Sequence, residues 1–68
     1  MSVSDVHKTA VEAAARHYSD CNKKVQGLQR MAPQIPLEGL EDYVVELSAA
    51  RAEEVAAARV LESLIKSA

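Results

Sequence analysis

Ala32-Pro33-Gln34-Ile35-Pro36 is the one break in a chain that otherwise repeats small and apolar residues every three or four positions. Pro33 lacks an amide hydrogen and has a fixed φ, so a helix arriving from the N-terminal side cannot run through it, and it pushes Ala32 away from helical dihedrals. Pro36 suits the first position of a new helix, where the missing N–H costs nothing, and Glu38 and Glu41 follow near the positive end of that helix's dipole. A connector of this length joins antiparallel neighbours. The same residues spell PxxP, but a helix stop followed by a helix start is the simpler reading, because polyproline ligands normally sit in disordered segments. The fold predicted is all-α: a single domain over 1–68, built as an antiparallel two-helix hairpin with a helix over about 4–31, a connector at 32–35 and a helix over about 36–67.

On the N-terminal side of the break, Val11, Ala14, Tyr18, Cys21, Val25 and Leu28 recur at alternating spacings of three and four, the pattern of an amphipathic helix with a coiled-coil seam. On a helical wheel Val3, Val6 and Ala10 extend that side. Lys8, Glu12, Arg16, Ser19, Lys23, Gln26 and Arg30 fall opposite. Ser2 and Ser4 are both good N-cap residues, Asp5 adds negative charge to the first turn, and Gly27 weakens the last turns before an end near Met31.

On the C-terminal side, Leu40, Tyr43, Leu47, Ala50, Glu54, Ala57, Leu61 and Leu64 carry the same spacing. The more apolar residues suggest a main stripe along a second line: Leu37, Leu40, Val44, Leu47, Val55, Ala58, Leu61 and Ile65. Ala49, Ala52 and Ala56 lie on the outer side, and the stretch VAAARVL (55–61) is apolar almost all round. A helix apolar around much of its circumference is usually covered on more than one side, so the second helix is expected to be the inner element of an assembly. Arg51 and Glu54 interrupt the apolar arc. Buried ions need partners, so both are expected to pair across an interface and set register there. Tyr18 and Tyr43, the two aromatic residues, sit near the seam, where a ring can pack while its hydroxyl finds a partner.

Sixty-eight residues without a disulfide or a zinc quartet bury too little to be comfortably stable alone. Oligomerisation is the remaining route, and a homodimer forming a four-helix bundle is the expected form. Residues 1–35 hold five basic and three acidic side chains, residues 36–68 three and seven. Opposite signs favour pairing of the halves. The net charge of −2 argues against bulk attraction to nucleic acid. A basic strip of Lys8, Arg16, Lys23 and Arg30 is similar to the RNA-gripping face of small plasmid-encoded hairpin dimers. It is interrupted by Glu12 and has no interleaved aromatics, so a solvated face is the preferred reading.

His17 and Cys21, four apart on one helix face, are a weak metal-ligand candidate that two copies could complete to four. No metal or other cofactor is otherwise expected. The same pair lacks an orienting acid and an oxyanion hole for nucleophilic catalysis, so no catalytic residue is assigned and the chain is read as non-enzymatic. No apolar run reaches membrane-spanning length and no signal peptide opens the chain, which suggests the cytoplasm. The segment 44–64 with the opening MSVSDVHKTAVEAA resembles the paired terminal helices of short flagellar rod proteins. It lacks their asparagine-rich segment and middle domain, so the resemblance implies helix pairing alone. The expected function is a small protein–protein interaction module (an adaptor, an inhibitor of a larger protein, or a chaperone or assembly subunit) that docks by a helix face. A nucleic-acid-binding hairpin and a structural coiled-coil subunit are the alternatives. The expected interface comprises Val11, Ala14, Tyr18, Cys21, Val25 and Leu28 with Leu40, Tyr43, Val44, Leu47, Arg51, Glu54, Val55, Leu61, Leu64 and Ile65.

Overall fold

A computed structural model describes residues 3–67. It is all-helical, with two long helices packed against each other as a hairpin: α1 (Val3–Met31) and α2 (Leu40–Lys66). Ser2, one of the two expected N-caps, lies outside the described residues, as does the side chain of Val3. Two single-turn 3-10 helices, Ala32–Gln34 and Leu37–Gly39, make the connection.

The connector turns the chain at Ile35 and Pro36 rather than at Ala32. Ala32 was expected to leave helical geometry ahead of Pro33, yet it opens a 3-10 turn that continues the axis of α1 and closes with Ile35 N–H donating to the Ala32 carbonyl at 3.3 Å. Ile35, which also precedes a proline, is extended (φ −77°, ψ 122°), and so is Pro36 (φ −68°, ψ 158°). The second helix was expected to begin at Pro36. Pro36 instead caps the 3-10 turn, its carbonyl accepting from Gly39 N–H at 3.0 Å, and regular α geometry starts at Leu40. Tight i→i+3 bonds at helix starts are common because they satisfy terminal backbone groups without a side-chain cap.

The seam follows the heptad line. Cys21, Val25 and Leu28 on α1 are buried with Tyr43, Ala50 and Ala57 on α2. Val11, Ala14, Tyr18, Leu47, Leu61 and Leu64 are half-buried along the same two rows. Ala50 and Ala57 are the least exposed residues, at 3% each. Small side chains at those positions let the two backbones approach. Val25 and Leu28 of α1 with Tyr43 and Ala50 of α2 form the core cluster, and Ile35 and Leu47 pack against it. Val6, placed by the wheel on the apolar side of α1, is exposed instead, because the straight 3.6-residue wheel drifts from the 3.5-residue seam toward the helix end.

The hairpin is a rod, 54 × 14 × 13 Å between Cα extremes. It exposes 5293 Å². A compact monomer of its 7.4 kDa mass would expose about 4,200 Å², so the chain carries roughly 1,000 Å² more than a globular fold of equal size.

Candidate interaction surface

The stripe suggested by the most apolar residues of α2 divides between two lines: Leu47 and Leu61 lie half-buried on the seam, whereas Val44, Val55 and Ile65 turn away from α1. Leu37 is 85% exposed, and Val44, Val55 and Ile65 are between 47% and 57% exposed. Leu40 is also open to solvent. The physical reason is register. Val44, Ser48, Arg51, Val55, Ala58, Glu62 and Ile65 each follow a seam residue by one position, so at 3.6 residues per turn their line is rotated about 100° from the face that α1 covers. Packing selected the row with alanine at its closest points and left the row with more valine and isoleucine outside. The expected single interface is therefore two: an internal seam and an open strip.

The strip has local relief at both ends. Tyr18 of α1 with Ala58, Leu61 and Ile65 of α2 lines a shallow apolar indentation toward the C-terminal end of α2. Leu37, Leu40, Val44 and Val45 line another beside the connector. Between these ends the strip is mixed, with Ser48, Arg51 and Glu62 set among Val44, Val55, Ala58 and Ile65.

Arg51 and Glu54 behave differently from each other. Glu54 is half-buried at the seam, and its Oε2 accepts from Asn22 Nδ2 at 2.7 Å. The Asn22 carbonyl oxygen in turn accepts from Gln26 Nε2 at 2.9 Å. The partner that lets a carboxylate sit in the seam is thus an amide on the same chain's α1, where pairing across an interface was expected. Asn22 and Gln26 were missed in the sequence because uncharged amides carry no periodic signal. Arg51 lies on the open strip with no ion-pair partner among the described residues.

The tyrosines also part company. Tyr43 is buried, and its hydroxyl donates to the Leu28 carbonyl at 2.6 Å. That carbonyl is one of the last four of α1, which lack regular intrahelical donors, so the bond ties the end of α1 to the start of α2. Tyr18 is half-buried, and its hydroxyl makes no hydrogen bond among the described residues.

His17 Nε2 and Cys21 Sγ lie 3.8 Å apart, with Cys21 buried and His17 exposed. Among the described residues no group of three or more His, Cys, Asp or Glu side chains is arranged to hold a metal ion. Lys8, Arg16, Lys23 and Arg30 are all exposed on α1. No helix among the described residues is long and apolar enough to cross a membrane. No family model, curated protein or solved structure matches the chain.

Proposed function

We propose that this chain is a small, non-enzymatic protein-interaction module that works by docking the open strip of α2 on a partner, in the simplest case building a four-helix bundle. The observation that supports this reading is the strip itself: Val44, Val55 and Ile65 stand half open on a helix whose other face is already occupied. Adaptor, inhibitor and assembly subunit are uses of the same contact, in which apolar surface is buried at the centre and charges at the rim set orientation. An unpaired cysteine suits a reducing compartment, and the cytoplasm is the proposed location. The acidic balance tells against nucleic acid as the partner.

The test is photo-cross-linking in cells that express the chain, from a photoreactive residue at Val55 and from a control at exposed Ala13. A discrete protein adduct formed from Val55 and not from Ala13 is the expected result. Equal silence at the two positions would overturn the proposal.

A further inference from the structure

We infer that the partner seated on this strip is a second copy of the chain, with α2 packed antiparallel on α2 about a two-fold axis and Arg51 of each copy paired with Glu62 of the other. This rests on the interaction-module reading and names its partner.

The first support is a symmetry in the strip. Ser48, Arg51, Val55, Ala58, Glu62 and Ile65 have spacings of 3, 4, 3, 4 and 3, which read the same in both directions. Laid antiparallel on itself, the strip sets Val55 against Ala58 of the second copy at the centre, Arg51 against Glu62, and Ser48 against Ile65 at the edges. The two charges within that stretch, of opposite sign, therefore meet, twice by symmetry. Sliding one heptad toward the connector sets Arg51 against Val55 and Val44 against Glu62, leaving two ions on apolar neighbours, which is costly. Sliding the other way carries Arg51 past the end of the partner helix.

The local ion pairs permit the exchange. Glu62 meets Lys66 at 2.7 Å, but both side chains are well exposed, and such i,i+4 pairs hold little energy. A carboxylate has two oxygens and can keep Lys66 while accepting a guanidinium. The acids that make residues 36–68 negative do not gather at the contact. By helical position Asp42, Glu46 and Glu53 lie on the far sides of α2, Glu54 is engaged by Asn22, and Glu41, one heptad before Ser48 on the strip's own line, falls beyond the end of the partner helix in this register.

The second support is area. The hairpin exposes roughly 1,000 Å² beyond a compact monomer of its mass, and a standard stable interface removes about 800 Å² from each partner. A contact running from Ser48 to Ile65 along both helices is about 27 Å long, enough to account for most of that excess.

The experiment is sedimentation equilibrium of the full chain over a concentration series, with circular dichroism on the same samples. A helical dimer is expected. Arg51→Glu and Glu62→Arg should each weaken it about tenfold or more, and the double reversal should restore it, because like-charge juxtaposition is replaced by attraction. Should the reversals lose helicity, Arg51→Met and Glu62→Gln replace them. Each should then weaken the dimer, and the two together should weaken it little more than either alone. A dimer indifferent to these changes overturns the register. A monomer at all concentrations overturns the second copy as partner. If Val55 nevertheless cross-links to a different protein in cells, the interaction reading survives that failure.

Discussion

Tyr43 and Glu54 each place a polar group inside a small seam, and each has one partner. The Tyr43 hydroxyl is held by the Leu28 carbonyl at 2.6 Å. Tyr43→Phe is expected to lower the unfolding free energy by about 1–2 kcal/mol in urea titrations, because a buried acceptor loses its donor. Tyr18→Phe should change it by less than about 0.5 kcal/mol, since no bond is lost there. Glu54 divides two effects. Glu54→Ala leaves a gap and strands Asn22, and should cost about 1 kcal/mol. Asn22→Leu combined with Glu54→Leu removes both polar groups and fills the seam with apolar volume, and is expected to be neutral or stabilising in the same titration, since replacing a whole polar pair by well-packed hydrophobes often is. Such a result would assign the Asn22–Glu54 bond to fixing the register of α1 on α2 rather than to stability. At this scale the tyrosine near the seam was legible from its heptad position. The amide opposite Glu54 was not, because its position has meaning only once the two helices are aligned.

Between the helices, distance is set by alanine. Ala50 and Ala57 are the most buried residues. Ala50→Leu is expected to cost about 1–3 kcal/mol by forcing the helices apart, whereas Ala49→Leu, one position away and exposed, should leave the thermal midpoint nearly unchanged. Thermal melts followed by circular dichroism would read the contrast. Similar losses at both sites would mean that Ala50 is not the closest point of the seam. The proline-bounded connector made both helices and their antiparallel sense readable. The start of α2 at Leu40 was not readable, because a 3-10 turn and an α-turn share the same residue preferences and differ only in which carbonyl is bonded. Which of the two apolar lines on α2 would face inward was equally hidden. The two lines drawn on the sequence share Leu47 and Leu61, and they differ in whether Tyr43, Ala50, Ala57 and Leu64 or Val44, Val55 and Ile65 complete the row; close approach favoured the row with the alanines.

The whole molecule is a thin rod whose core has no second layer, so every part of the seam lies near solvent. Cys21, 6% exposed and midway along α1, reports on how often the seam opens. Its reaction with a thiol reagent is expected to be slow in the native chain and to accelerate with sub-denaturing urea, at rates set by the opening equilibrium. Immediate full reactivity in buffer would show that the free hairpin is not closed. If a second copy covers the strip of α2, the same reaction should also slow as protein concentration rises, because association stabilises the closed form by mass action.

The sequence by itself determined that this chain is two helices in a hairpin. Periodicity, charge and two prolines are local quantities, and each acts within a few residues of its own position. Tertiary structure alone decided which face of α2 the hairpin keeps for itself and which it leaves open. That choice depends on how closely two backbones can approach over their whole length. The alanines at 50 and 57 allow that approach on one line, and the branched Val44, Val55 and Ile65 with the charged Arg51 and Glu62 leave the other line outside.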